Sequence, residues 1–192
     1  MGKELELKYA LTEAAYAALE ERFDLRDGEP LEMCSTYYDT PDRTLAARKW
    51  TLRHRMEGDR SVICMKTAPV NDVRGEWELP GEDPATAVPA LIALGAPAEL
   101  EALAAQGLVP VCGARYLRKV RFLRLGDGIC ELALDQGTLR GSARQQAFRE
   151  LELELKDGEA AGLRQLGENL ARELGLHPEP QPKFVRAMAL AD

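Results

Sequence analysis

The sequence predicts an α+β fold: a closed antiparallel barrel of about eight strands, with a charged lumen and helices packed outside. Short β-like segments recur along the chain at regular spacing and are separated by turn residues, as in antiparallel sheets and barrels. On these segments one face carries ionisable side chains and the other carries apolar ones. An ordinary half-buried sheet mixes Ser, Thr, Asn and Gln on its polar face, so this pattern indicates an unusual polar surface.

The predicted strands follow from period-two alternation and from the turns between them. Residues 3–9 alternate charge with leucine and form the first expected strand. The Pro, Gly, Asn and Asp residues that separate the later segments favour hairpins. We expect these later strands at 31–38, 50–56, 61–67, 73–79, 114–125, 129–135 and 147–156.

Helices are predicted between and after the strands. Thr12 precedes an Ala-rich run and is expected to cap a helix there. Residues 83–106 are rich in Ala and Leu with interspersed prolines, which indicates two short helices. Leucines recur at helical spacing between 158 and 175, and a last short helix is expected at about 183–190.

Length and composition favour a single domain over residues 1–192, since 192 residues with 45% hydrophobic content can form one substantial core. The net charge of −7 argues against a nonspecific nucleic-acid binder. No apolar run approaches the roughly 20 residues that span a bilayer, and no signal-peptide pattern is present. We therefore expect a cytoplasmic protein with no membrane partner and four free thiols, because no cysteines form a CxxC pair.

The charged faces suggest a site rather than a solvated surface. Helices that pack on the leucine faces would turn the charged faces inward, and closing such a sheet would enclose them. Unpaired buried charges cost several kcal/mol, so the interior would have to hold water, metal and a charged ligand. Carboxylates suit Mg²⁺ or Mn²⁺, and Arg and Lys suit phosphate oxygens, so a metal-bound polyphosphate would satisfy both sets.

Short motifs then point to a family. Glu4-Leu5-Glu6-Leu7-Lys8 is an ExExK pattern close to the N-terminus, and the chain resembles the CYTH family, the triphosphate tunnel metalloenzymes. Matching segments follow in family order up to residue 186: YYDTPD at 37–42, LRxR at 52–55, a lysine strand at 65–67, RxExE at 74–78, KxR at 119–121, and acidic strands at 131–137 and 150–155. These motifs are most similar in sequence to those of bacterial inorganic triphosphatases. The resemblance implies a CYTH domain without the helical CHAD domain.

The resemblance implies roles for individual residues. The implied metal ligands for one or two Mg²⁺ or Mn²⁺ ions are Glu4, Glu6, Asp135, Glu152 and Glu154. The implied phosphate-binding residues are Lys8, Arg53, Arg55, Lys66, Lys119, Arg121 and Lys183. Supporting residues that pair across the lumen would be Arg74, Glu76, Glu78, Arg118, Glu131 and Arg186. Period two places Arg118 on the strand face opposite Lys119 and Arg121.

The expected reaction is hydrolysis of a small linear triphosphate, foremost inorganic tripolyphosphate to pyrophosphate and phosphate, by an in-line water. The catalytic candidates are Glu4, Glu6 and Lys66; whether a carboxylate or Lys66 activates the water stays open. Thiamine triphosphatase and class IV adenylyl cyclase activities are the enzymatic alternatives. A non-catalytic polyphosphate- or nucleotide-binding module is the alternative of another class, and the sequence does not give the oligomeric state.

Overall fold

The computed structural model describes residues 5–68 and 75–190. Glu4 and Arg74 lie outside the described residues, as do residues 69–72 between the strands expected at 61–67 and 73–79. The described strands are β1 (Glu6–Ala10), β2 (Leu31–Asp39), β3 (Thr51–Glu57), β4 (Arg60–Lys66), β5 (Glu76–Pro80), β6 (Val109–Leu125), β7 (Gly128–Arg140), β8 (Gln145–Asp157) and β9 (His177–Pro178). The described helices are α1 (Glu13–Arg22), α2 (Thr44–Ala47), α3 (Pro84–Ala93), α4 (Glu99–Ala104), α5 (Ala160–Leu174) and α6 (Lys183–Met188).

The strands form one antiparallel sheet in the order β5-β4-β3-β2-β6-β7-β8-β1-β9, which confirms the α+β class. Strands β5 and β9 lie at the two ends of this order, so hydrogen bonds among the described residues do not close the sheet. The expected closed barrel of about eight strands is therefore not confirmed. The additional strand is β9, which pairs with β1 through Tyr9 and Ala10 and covers its outer edge.

The chain divides into two compact units. Unit 1 comprises Met1–Leu31, Tyr116–Thr138 and Gln146–Pro182, and unit 2 comprises Glu32–Arg115, Leu139–Gln145 and Lys183–Asp192. The long strands β6 and β7 run through both. The expectation of one domain stays a prediction.

Unit 1 has a core of leucines from β7 and β8 packed against α1 and α5. Leu132, Leu134, Leu151 and Leu153 are fully buried with Leu19 of α1. These strand residues alternate with acidic ones, which places the carboxylates on the face away from this core.

Unit 2 has a second core, in which β3 and β4 pack against α3 and α4. Leu52, Ile63 and Met65 are fully buried together with Leu91 and Leu100 of the helices. Alternate residues of these strands therefore occupy the opposite, charged face. Among the described residues, no helix is long and apolar enough to cross a membrane.

Thr12 caps α1 as expected, because its hydroxyl accepts a hydrogen bond from the Ala15 N–H at 3.1 Å. Helix α2 was not expected, and Asp39 explains it. The carboxylate of Asp39 accepts hydrogen bonds from the backbone N–H groups of Leu45 at 2.8 Å and Ala46 at 3.0 Å. The YYDTPD segment thus contains a structural carboxylate that fixes the chain between β2 and β3.

Candidate functional site

Three carboxylates of unit 1 converge on one place. Asp135 lies on β7, and Glu150 and Glu152 lie on β8; one carboxylate oxygen of each lies within 4.8 Å of the others. Asp135 and Glu150 are fully buried. The alternation with core leucines brings them together, because residues of one parity on adjacent strands share a face.

Arg118 of β6 binds this acidic cluster (Asp135, Glu150 and Glu152). Its Nε donates to Asp135 Oδ1 at 2.8 Å and its Nη2 to Asp135 Oδ2 at 2.7 Å, while Nη2 also donates to Glu152. Burial disfavours the charge on Arg118, but the hydrogen bond to Asp135 and the charges of Glu152 and Asp135 outweigh it and raise its pKa well above the ordinary value. The guanidinium is therefore a permanent cation within the cluster.

Strand β1 extends the charged face. Its register with β8 sets Glu6 opposite Glu154 and Lys8 opposite Glu152, and Lys8 Nζ lies 3.6 Å from Glu6 Oε2. Beyond them, Lys156 Nζ lies 2.7 Å from Glu154 and 3.1 Å from Glu131. Burial opposes the charge of Lys156, yet the hydrogen bonds from its ammonium to these carboxylates raise its pKa.

Unit 2 carries a second charged face on β3, β4 and β5. The register aligns Lys66 with Glu76, and Lys66 Nζ lies 2.8 Å from Glu76 Oε2. Arg55 pairs with Glu57 and lies 3.6 Å from Glu78. Arg53 shares this parity with Arg55 and faces the same way.

Some donors on this second face lack an acceptor within the described parts of the chain. Ser35 of β2 stands opposite Arg55 in the register, is 3% exposed, and has no hydrogen-bond partner for its Oγ. The buried Nε–H of Arg55 also lacks one. Unmatched donors beside guanidinium and ammonium groups fit a ligand made of acceptors, such as a phosphate chain.

The two faces differ in what they can bind. The acidic cluster offers hard oxygen ligands of the kind that Mg²⁺ and Mn²⁺ prefer. On the second face Cys64, Glu76 and Glu78 also converge, but one of these three groups is a thiol. Burial raises the pKa of the Cys64 thiol to about 11, so the sulfur stays protonated. The acidic cluster of unit 1 is therefore the better cation site.

A family model for the CYTH domain matches residues 2–186. The chain belongs to the CYTH domain family. Residues 5–68 and 75–190 of this CYTH domain thus contain one buried acidic cluster and one donor-rich face.

The relatives of this CYTH domain include an inorganic triphosphatase from Haemophilus influenzae, 28% identical over 99% of this chain. The chain spans 55% of the length of that relative. Solved structures with the same fold include HpAC1 from Hippeastrum, an adenylyl cyclase candidate described as having a dominant triphosphatase activity (TM-score 0.66, 18% identity, 98% of this chain and 97% of that one). The PH1819 protein from Pyrococcus horikoshii is another (TM-score 0.61, 20% identity, 94% of this chain and 96% of that one).

The structure brings together part of the expected metal set. Asp135 and Glu152 share the acidic cluster, and Glu6 and Glu154 lie on the same face of β1 and β8. Glu150 was not selected from the sequence as a ligand, although it has the parity of Glu152 and is fully buried. That parity was the signal that could have identified it.

The expected phosphate-binding set is divided. Arg53, Arg55 and Lys66 share the second face, Lys8 lies beside the acidic cluster, and Lys183 begins α6 of unit 2 together with Arg186.

Lys119 and Arg121 do not join either group. Lys119 Nζ lies 2.8 Å from Glu20 of α1, and Arg121 lies 3.9 Å from Asp24. They share strand parity with Leu123 and Leu125, which pack against the unit 1 core, so their side chains extend toward the end of α1. Arg118, assigned only a supporting role, takes the position beside the carboxylates.

Proposed function

We propose that this CYTH domain hydrolyses a small linear triphosphate, with inorganic tripolyphosphate as the leading substrate and pyrophosphate and phosphate as products. The observation that carries the proposal is the separation of charge into a buried acidic cluster and a donor-rich face with unmatched hydrogen-bond donors. The Haemophilus influenzae relative is named an inorganic triphosphatase, and HpAC1 is described as having a dominant triphosphatase activity, which supports the same reaction class.

In unit 1, Asp135, Glu150 and Glu152 would hold a divalent cation, with Glu6 and Glu154 as further ligands on the adjoining strands. We also propose Glu4 as a ligand of this cation, as the resemblance implies. A bound Mg²⁺ or Mn²⁺ supplies charge neutralisation for the phosphate oxygens. The three carboxylates fit such an ion because all of them offer hard oxygen ligands.

In unit 2, Arg53, Arg55 and Lys66 would bind phosphate oxygens. Arg55 can donate through the Nε–H that lacks an acceptor, and Ser35 can donate its hydroxyl beside it. Lys66 would give up part of its contact with Glu76 to reach the phosphate chain. Catalysis of this kind needs positioning and charge stabilisation rather than a covalent nucleophile.

The choice of tripolyphosphate over a nucleotide rests on composition of the charged faces. Most of their side-chain contacts are ion pairs. The aromatic rings beside them already pack on other side chains: the Tyr116 ring centroid lies 5.7 Å from the Arg118 Cζ and the ring packs on Phe148, and Tyr37 packs on Phe184 at 4.9 Å between centroids. Small-molecule triphosphate as partner, a cytoplasmic location and the closed barrel stay predictions.

A phosphate-release assay tests the proposal. Wild-type protein is compared on tripolyphosphate, thiamine triphosphate, ATP and pyrophosphate, with Mg²⁺ and with Mn²⁺. Glu152→Gln tests the metal site, and Glu173→Gln, an exposed change on α5, is its matched control. We expect highest kcat/KM on tripolyphosphate, a loss of about a hundredfold or more in Glu152→Gln, and wild-type rates in Glu173→Gln.

Other outcomes assign other functions. Equal or higher kcat/KM on thiamine triphosphate or ATP would contradict the proposed substrate. Formation of cyclic AMP from ATP would indicate a cyclase, and tight tripolyphosphate binding without release of phosphate would indicate a binding module.

A further inference from the structure

Arg118 occupies the place where the proposed divalent cation would bind. Its guanidinium donates to both oxygens of Asp135 and to Glu152, so three hydrogen bonds engage two of the three clustered carboxylates. The Arg118 side chain is 16% exposed and the Asp135 side chain is fully buried. This cation and its partners are therefore largely shielded from water.

The ion pair has a clear electrostatic reason. Three carboxylates whose oxygens lie within 4.8 Å of one another repel, and buried like charges disfavour the ionised state. The Arg118 guanidinium offsets this repulsion and fixes the orientation of Asp135 and Glu152. Arg118 thus serves as the counter-ion of these two carboxylates.

The same geometry makes Arg118 and a divalent cation competitors for the same carboxylates. Mg²⁺ and Mn²⁺ bind carboxylate oxygens directly, and the Asp135 oxygens are both engaged by Arg118. A divalent ion beside the guanidinium would also meet a like charge at short range in a poorly screened site. Each engaged oxygen keeps a second lone pair, but the repulsion between the two cations favours movement of Arg118 away from Asp135 or Glu152 when a metal binds.

We infer that Arg118 is a positioning residue that competes with the divalent cation for Asp135 and Glu152, and that it turns to a phosphate oxygen once the cation is bound. The inference rests on the proposed function for the identity of the anion that Arg118 then meets. A guanidinium displaced from two carboxylates has donors to satisfy, and a phosphate oxygen is a suitable acceptor. Free protein would then bind metal weakly, and triphosphate would strengthen metal binding by giving Arg118 a new partner.

The test measures Mn²⁺ binding to the full chain with no phosphate present, by electron paramagnetic resonance of the free ion. The variants are Arg118→Gln, Arg118→Lys and Arg121→Gln. Arg121→Gln removes the same charge from the same strand. Because Arg121 pairs with Asp24 rather than with the cluster, this variant reports the general effect of charge on Mn²⁺ binding. We expect Arg118→Gln to bind Mn²⁺ about tenfold or more tightly than wild type, and Arg121→Gln to stay within about twofold.

Thermal unfolding adds a second measurement. Without metal, Arg118→Gln should melt below wild type because the carboxylates lose their counter-ion, and Mn²⁺ should raise its Tm by more than it raises that of wild type. Arg118→Lys retains the charge but loses the two-atom contact, so it should bind Mn²⁺ with intermediate affinity. If Arg118→Gln does not fold without metal, Arg118→Lys decides: affinity equal to wild type overturns the inference.

The two proposals fail in different experiments. Mn²⁺ affinity of Arg118→Gln equal to or below that of Arg121→Gln overturns the competition, whatever the turnover of wild type. Absence of phosphate release by wild type overturns the proposed function but leaves a measured gain in Mn²⁺ affinity in support of the competition. Absence of Mn²⁺ binding in every variant overturns both the metal site and the role of Arg118.

Discussion

Lys66 and Glu76 form an ion pair on the donor-rich face, with Nζ and Oε2 2.8 Å apart. The second oxygen of Glu76 accepts a hydrogen bond from the Cys64 thiol at 3.4 Å. Burial by itself would raise the pKa of Glu76, but the hydrogen bond and charge of Lys66 outweigh it and lower the pKa below the ordinary value of 4.5. The ion pair between Lys66 and ionised Glu76 therefore contributes to the stability of unit 2.

A pH dependence follows for Glu76. Because its pKa is lower in the folded state, the ionised form stabilises the fold fully above pH 4.5, and that contribution is lost as pH falls from 4.5 through the folded pKa. Chemical denaturation of wild type and Glu76→Gln should show a stability difference that is constant at neutral pH and shrinks below pH 4.5. A difference that grows with acidity would contradict the lowered pKa.

Ser35→Ala should weaken substrate binding without weakening the fold. The hydroxyl is buried and lacks a partner, so its removal should leave the free energy of unfolding unchanged or raise it by up to about 1 kcal/mol. The KM for tripolyphosphate should rise about three- to tenfold, since one donor is lost.

Steady-state kinetics and urea unfolding measure both effects of the Ser35 change. Thr36→Ala is the control, because Thr36 faces the other side of β2 opposite His54. An unchanged KM in Ser35→Ala, or an equal rise in Thr36→Ala, would remove Ser35 from the site.

Glu150→Gln tests the ligand that the sequence did not single out. If Glu150 contributes an oxygen to the cation, the increase in Tm that Mn²⁺ produces in wild type should fall by more than half in this variant. Differential scanning fluorimetry with and without Mn²⁺ measures it, with Glu173→Gln as a control of equal charge change. A wild-type response would place Glu150 in the scaffold only.

Asp39→Asn should destabilise unit 2 by about 1 to 3 kcal/mol, because an amide nitrogen would face backbone N–H groups that the carboxylate now satisfies. The kcat of the folded fraction should stay at the wild-type value. Urea unfolding and assays at low temperature separate the two, and Asp59→Asn in the exposed turn is the control. A large fall in kcat with unchanged stability would make Asp39 part of the site.

Gly167→Ala should destabilise unit 1 by about 1 to 3 kcal/mol through overpacking. An added Cβ would lie 2.6 Å from Tyr9 Oη and 2.8 Å from Leu7 Cδ1, so the Tyr9 and Leu7 side chains or α5 itself would have to shift. Urea unfolding measures the change, and Glu168→Ala on the exposed side of the same turn is its control. Equal stability of the two variants would show that α5 accommodates the methyl group.

Much of the fold could be predicted because its determinants are local. The cap at Thr12 and the alternation of leucine with charge in β7 and β8 specify their elements without reference to distant residues. Helix α2 has only four residues, and its determinant is the Asp39 carboxylate, which a periodicity argument does not detect. Strand β9 pairs through two residues and carries no pattern of its own.

Alternation alone could not decide which residues of β6 point toward the core, because charged residues occupy both odd and even positions of this strand. Arg118 and Arg124 have one parity, and Lys119 and Arg121 have the other. The structure distinguishes them through tertiary packing: Leu123 and Leu125 contact the unit 1 core, which commits the odd positions to that side. Long aliphatic stems let Lys119 and Arg121 pass the core and reach Glu20 and Asp24.

Strand β9 has a consequence for self-association. The Glu179 N–H donates to the Lys8 carbonyl at 2.9 Å, and Ala10 pairs with His177, so backbone groups on the outer side of β1 are already occupied. An uncovered strand of this kind is a template on which another polypeptide can add and begin aggregation. The returning segment after α5 thus protects the sheet from intermolecular β-pairing at the strand that carries Glu6 and Lys8.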